Sequence, residues 1–120
     1  MKKFQSVTLL AVLFTLFTTV KMFAQTTAKT ATVKIKTSAQ CDDCKARIEK
    51  KVGAMDGVSK ADLDVDSKVL TVEYDPAKTS PEKIRKVISK IGYDADDVKA
   101  NAHAQKELPK CCKPKTGSTN

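Results

Sequence analysis

The chain has 120 residues, with 22 basic against 14 acidic side chains, 5% aromatic residues and no tryptophan, a size that suits one domain with a core able to fold unaided. The charge is uneven: Thr30 to Val98 carries 13 basic and 13 acidic residues, while from Lys99 onward five lysines face Glu107 alone. A neutral domain without stacking aromatics excludes a basic nucleic-acid groove, so no nucleic-acid partner is expected.

Residues 1–24 read as an export signal. Lys2 and Lys3 start it, and Val7 to Val20 is an apolar run of 14 residues, within the range of a signal core and short for a bilayer span. Cleavage near Ala24 would leave Gln25 as the new terminus and remove three lysines, taking the net charge from +8 to +5. The alternative is an uncleaved anchor. No cysteine directly follows the apolar run, which argues against a lipoprotein. The expected product is a periplasmic or secreted monomer with no stable membrane insertion.

Val33 and Ile35 alternate with Lys34 and Lys36, the period of a half-buried strand. After Thr37-Ser38-Ala39-Gln40 come Cys41 and Cys44, at the start of a helix whose apolar face is Cys44, Ile48, Val52 and Met55. Asp42 and Asp43 suit its N-terminal end, and Gly53 and Gly57 close it. Ala61, Leu63 and Val65 alternate with Asp62 and Asp64, Asp66-Ser67-Lys68 reads as a hairpin turn, and Leu70, Val72 and Tyr74 alternate again before Pro76. Ser80 and Pro81 open a second helix with the stripe Ile84, Val87, Ile88 and Ile91, and Gly92 stops it. A weak strand follows from Tyr93 to about Val98. The order predicts an α+β, ferredoxin-like βαββαβ sandwich, with two helices on one face of a four-stranded antiparallel sheet. Residues 99–120 form a basic tail, with a short helix expected over Ala100 to Leu108, then Pro109 and the pair Cys111-Cys112. Gly117 to Asn120 reads as disordered.

Two thiolates spaced like Cys41 and Cys44, one from a loop and one from the first helical turn, can converge on a soft metal ion. The other readings are a permanent disulfide, for which four cysteines in an exported chain allow three connectivities, and a thiol–disulfide redox module. Asp42 and Asp43 between the thiols oppose the second negative charge that a strong oxidant needs. His103, the single histidine, reads as a solvated tail residue. Asp62, Asp64 and Asp66 read as the wet face of a strand rather than a calcium loop, and Met55 as core. No nucleophile–base pair, phosphate loop or zinc-protease motif is present, so no enzyme is expected.

At this point the sequence resembles the heavy-metal-associated domain family over about Thr32 to Val98, within a domain expected at residues 30–98. The likeness rests on Val33-Lys34-Ile35-Lys36, Cys41-x-x-Cys44 with Arg47-Ile48-Glu49, and Met55-Asp56-Gly57-Val58. It continues through Val72-Glu73-Tyr74-Asp75-Pro76, Lys78-Thr79-Ser80-Pro81 and Ile91-Gly92-Tyr93. The resemblance implies a ferredoxin-like fold, a metal ion between Cys41 and Cys44, a tyrosine (Tyr93) near the metal loop, and delivery to a membrane transporter or pump by ligand exchange. The chain departs from the family pattern in two places. Ser38-Ala39-Gln40 stands where Gly-Met-Thr is usual, so Ala39 leaves unfilled the volume of a methionine that braces the loop. The tail with Cys111 and Cys112 is also extra. Cu(I) or Hg(II) suits two cysteines, while Zn(II) or Cd(II) would need the tail cysteines as well. With the last strand leaving the sheet at its far edge, about 15–20 Å from the loop, the 13 residues from Val98 to Cys111 are long enough to return to it. Lys45 and the helix N-terminus are expected to offset the thiolate charge.

Overall fold

The protein is described from a computed structural model covering residues 29–114. Residues 1–28, which include the segment read as an export signal, and residues 115–120, which include the tail end read as disordered, lie outside the described residues. Among the described residues no helix is long and apolar enough to cross a membrane.

Strand β1 (Ala31–Lys36) is followed by helix α1 (Asp42–Gly53), strands β2 (Val58–Asp64) and β3 (Val69–Tyr74), helix α2 (Pro81–Lys90) and a short tail helix α3 (Ala102–Lys106). A single 3₁₀ turn, Lys110–Cys112, follows α3. The sheet is antiparallel with strand order β1-β3-β2. Ile35 and Leu63 both stand opposite Leu70 in the register, and Val33 and Ala61 both stand opposite Val72. Side chains of one parity therefore share one face of the sheet. Onto that face the helices bring Cys44, Ile48 and Val52 from α1 and Ile84 and Ile88 from α2, all fully buried. α1 packs on β2 and against α2, and Glu49 Oε1 accepts a 2.7 Å hydrogen bond from the Leu63 backbone N–H.

The local signals act as read. Asp42 and Asp43 occupy the first turn of α1 and Lys50 and Lys51 the last, complementing the helix dipole. Ser80 caps α2, accepting from the Lys83 N–H at 3.4 Å, with Pro81 at the first position. Asp64 Oδ1 accepts from the N–H groups of Asp66 and Ser67, closing the β2–β3 turn, where Lys68 takes a φ of 61°.

The four-stranded sheet is not observed: the described residues form three strands. Where the fourth was expected, Tyr93 to Val98 makes a turn against the end of β1. Ala95 bridges Thr37 and also Val98, its near neighbour, closing the turn on itself. Asp96 has a φ of 52°, incompatible with a strand. Its backbone N–H donates to the Lys36 carbonyl at 2.8 Å, its Oδ1 accepts from the Lys36 N–H at 2.8 Å, and its Oδ2 accepts from Arg85 Nε at 2.8 Å. The segment Asp94-Ala95-Asp96-Asp97 has low strand propensity. A carboxylate replaces the missing ladder bonds on the edge of β1. The chain consequently leaves Val98 beside the metal-loop end of β1 and not from the far edge.

Candidate metal centre

The loop from Thr37 to Cys41 carries the first thiol. Thr37 donates both its backbone N–H (2.8 Å) and its hydroxyl (3.0 Å) to the Lys68 carbonyl, and its Oγ1 accepts from the Ala39 N–H at 3.2 Å. Ser38 Oγ accepts from the Asp94 N–H at 2.9 Å, tying the loop to the turn after α2. Cys41 is the extended residue before α1, and its carbonyl accepts the first helical bond, from the Lys45 N–H. Cys44 is one turn on and fully buried. The Cys41 and Cys44 sulfurs are 3.2 Å apart.

The tail returns to this site. Ser89 Oγ donates to the Lys99 carbonyl at 2.6 Å, the Asn101 N–H donates to the Ser89 carbonyl at 2.9 Å, and the Ala100 N–H donates to Asp94 Oδ1 at 2.8 Å. Asn101 then caps α3, its Oδ1 accepting from the Ala104 N–H. α3 is shorter than the helix expected over Ala100 to Leu108, since the cap falls at Asn101 and the last turn tightens, the Leu108 N–H donating to the Gln105 carbonyl, before Pro109. It runs against Gly92, which has a φ of +102°. A Cβ there would lie 2.9 Å from backbone atoms of Ala104 and Gln105. Leu108 enters the main core, and the 3₁₀ turn aims Cys112 inward, leaving it 2% exposed. The fully buried Ala39 belongs to the same apolar cluster as Leu108 and Cys112. The small residue in the loop is thus accompanied by apolar tail side chains that the minimal domain lacks.

Four thiols meet here, all free. Cys112 Sγ is 3.6 Å from Cys41 Sγ and 3.8 Å from Cys111 Sγ, and the sulfurs of Cys41, Cys111 and Cys112 all lie within 4.8 Å of one another. Cys44 joins them through Cys41. Cys111 is exposed and 3.5 Å from Asp43 Oδ2.

The thiols differ in acidity. Burial opposes ionisation of Cys41, but hydrogen bonds from Cys111, from the Cys44 backbone and from the Cys44 and Cys112 thiols outweigh it and bring its pKa down to about 7. The adjacent Cys41 sulfur, then burial, with the Asp43 carboxylate that its S–H meets, push Cys111 up to about 11. Burial, reinforced by the neighbouring Cys44 thiol, pushes Cys112 up strongly. Cys41 is therefore the most acidic of these three thiols.

Tyr93 is fully buried at the back of the cluster. Its hydroxyl has no hydrogen-bond partner at normal geometry. Burial first, then the adjacent Cys112 and Cys44 thiols, push its pKa up, so it stays a neutral donor. Lys45 does not serve the thiols as expected. Its Nζ binds Glu49 Oε1 and Asp62 Oδ1, both at 3.2 Å, and donates to the Leu63 carbonyl at 2.7 Å. His103 is exposed on α3, outside the cluster, and Met55 packs half-buried against the core. The sequence marked all four cysteines. It did not reveal the tail anchors, Ser89 and Asp94, because both are polar residues whose partners are backbone groups ten and six residues on, spacings that no helix or strand period marks.

Three sulfurs within 4.8 Å, one of them already acidic, are a donor set for a soft, thiophilic ion and not for a hard one. The comparisons agree. Over 70 residues the chain is 41% identical to the copper-exporting P-type ATPase of Staphylococcus saprophyticus, a match covering 57% of this chain and 9% of that enzyme. The chain thus spans less than a tenth of the ATPases it matches. Among solved structures it is similar to oxidised MerP from Ralstonia metallidurans, at 30% identity and a TM-score of 0.55, covering 57% of this chain and 96% of MerP. It is also similar to a CopZ metallochaperone, at 26% identity and a TM-score of 0.53, covering 54% of this chain and 98% of CopZ. Residues 32–94 match the heavy-metal-associated domain, and with that match spanning over half its length the chain belongs to the heavy-metal-associated domain family.

Proposed function

We propose that the protein is an exported metal-binding protein, a metallochaperone or scavenger, which takes up a thiophilic ion such as Cu(I), Hg(II) or Zn(II) on Cys41 and Cys44 and passes it on by ligand exchange. The observation that carries this reading is the pair of sulfurs 3.2 Å apart at the start of α1 in a heavy-metal-associated domain. Likeness to a copper-exporting ATPase and to CopZ favours Cu(I) among these ions. A membrane metal transporter or pump fits as the recipient, because such a partner can present thiolates of its own. Export rests on Lys2, Lys3 and the apolar run that follows them.

The residues support transfer as well as capture. A Cys41 thiol with its pKa lowered to about 7 loses its proton to an incoming metal more readily than an ordinary thiol does. Cys41 is half-buried at the loop surface while Cys44 is buried, so an incoming thiolate would meet the Cys41 side first. As the new metal–sulfur bond forms, a bond to Cys41 breaks, and the released Cys41 thiolate is held by the neighbouring thiols or takes a proton from solvent.

Replacing both residues, as Cys41→Ser with Cys44→Ser, tests the reading by competition with a Cu(I) chelator under reducing conditions. Loss of tight stoichiometric binding with the fold retained is expected. Unchanged affinity would move the site elsewhere. A redox module would instead accelerate insulin reduction, and a metal carrier would not.

A further inference from the structure

We infer that the tail supplies inner ligands to this centre: Cys112 is its third sulfur and Cys111 a fourth at the exposed rim, so that the chain closes its own two-cysteine pair into a three- or four-thiolate site. The inference rests on the reading of Cys41 and Cys44 as metal ligands and adds to it the number of ligands and the device that brings them.

Distances favour the higher coordination. With metal–sulfur bonds of about 2.3 Å, a linear two-sulfur site needs its sulfurs about 4.6 Å apart, a trigonal one about 4.0 Å and a tetrahedral one about 3.8 Å. Cys112 stands 3.6 Å from Cys41 and 3.8 Å from Cys111, near the closed geometries, while the Cys41–Cys44 pair at 3.2 Å is much tighter than a linear site allows. Cys41, Cys111 and Cys112 already lie within 4.8 Å of one another, so small movements suffice for three bonds, and a fourth needs Cys44 to close in on the tail sulfurs.

The tail is also built to stay. Three hydrogen bonds fasten Lys99, Ala100 and Asn101 to Ser89 and Asp94, α3 lies on the bare backbone of Gly92, and Leu108 is sunk in the core. Pro109 then ends the helix, and the 3₁₀ turn directs Cys112 into the cluster. A free, accidental tail would show none of these fixtures.

A further observation points to a ligand. The Tyr93 hydroxyl is a buried donor with no partner, set beside the Cys44 and Cys112 thiols. An orphaned buried donor is costly. A thiolate held by a metal is a strong acceptor, whereas a neutral thiol is a weak one. Metal bound by Cys112 would give Tyr93 the acceptor that the metal-free cluster withholds. The competing explanation is that Cys112 is a small apolar side chain filling a gap.

Cd(II), used as the probe, separates the two. The full chain is titrated with Cd(II) under reducing, oxygen-free conditions. Sulfur-to-metal charge-transfer absorbance per Cd(II) gives the number of thiolates bound, and chelator competition gives the affinity. The native chain should show three or four thiolates. Cys112→Ser should lose one, and its affinity should fall by more than the roughly 10–100-fold that loss of an outer-shell partner costs. Leu108→Asn, which keeps all four thiols and loosens the anchor, should move both readings in the same direction. If Cys112→Ser and Leu108→Asn keep the native thiolate number and an affinity within about twofold, Cys112 is packing and the inference is overturned. The Cys41→Ser, Cys44→Ser variant keeps the two readings apart. Loss of Cd(II) binding there, with Cys112→Ser unaffected, overturns only the tail's role, whereas native affinity in that variant overturns the two-cysteine site itself.

Discussion

Gly92→Ala is the sharpest single perturbation of the tail. At φ +102° an L side chain is strained whatever the space around it, at about 1–3 kcal/mol. The new Cβ would also sit 2.9 Å from the Ala104 carbonyl carbon and the Gln105 nitrogen and 3.0 Å from the Ala104 oxygen. These are backbone atoms of α3 and cannot rotate away. If α3 held its place, the clash would add the 1–3 kcal/mol typical of overpacking, roughly. Lifting α3 relieves it but gives up the Leu108 contacts, so the clash is transferred to the docking equilibrium. The expected loss is about 2–3 kcal/mol in all. For a domain of this size that is a fall in Tm of about 8–24 °C. Urea unfolding measures the first part. Alkylation of Cys112 by iodoacetamide measures the second, because a lifted tail exposes a thiol that is 2% exposed in place. Gly53→Ala is the control: nothing lies within 4 Å of its Cβ, and within a helix the change should be neutral or stabilise by up to about 1 kcal/mol. A Gly92→Ala protein as stable as the native chain, with Cys112 equally protected, would show that α3 does not rest on Gly92.

Asp96→Asn should destabilise by about 1–2 kcal/mol at pH 7 by weakening the bonds to Arg85 and Lys36, read from urea curves. Burial works against the Asp96 carboxylate, but Arg85 and the Lys36 N–H outweigh it and hold its pKa below the usual range. Its contribution is therefore present above the unfolded-state value near ~4 and is lost as pH falls through the lower folded value, so native and variant curves should converge in acid; a gap that stays constant to pH 2 would remove the ion pair from the account. Tyr93→Phe should leave the metal-free chain as stable or up to about 1 kcal/mol more so, because an unpartnered buried hydroxyl is removed, and a loss above that size in thermal unfolding would mean the hydroxyl has a partner. In the reduced, metal-free chain, Cys41 should be the first thiol alkylated as pH rises through about 7, ahead of the more exposed Cys111, which waits for pH near 11. Mass spectrometry of the labelled peptides orders them, and Cys111 leading at pH 7 would refute the assignment of the charge.

The sequence by itself determined the three strands, both main helices and the metal loop. Each rests on local signals: alternation in Leu70, Val72 and Tyr74, the Ser80-Pro81 start, the 3.6-residue stripe through Cys44, Ile48 and Val52, and two thiols one helical turn apart. Such signals survive in a linear reading because the partners are neighbours or because burial on one face imposes a period. The fourth strand was misread because Tyr93 and Val98 mimic a strand's ends, while the deciding event is Asp96 reaching Lys36 and Arg85, 60 and 11 residues away. The tail was legible only as possible reach. Sequence length allowed Cys111 and Cys112 to return, but chain reach carries no information about which contacts repay the ordering entropy. The tertiary structure decided that. It brings Ser89, Asp94 and the bare backbone of Gly92 to one side of the fold, seats Leu108 in a core that also holds Ala39, and so sets Cys112 3.6 Å from Cys41. The acidity of Cys41 and the orphaned hydroxyl of Tyr93 belong to the same category, since both are properties of a burial and a set of neighbours that exist only once the tail has docked.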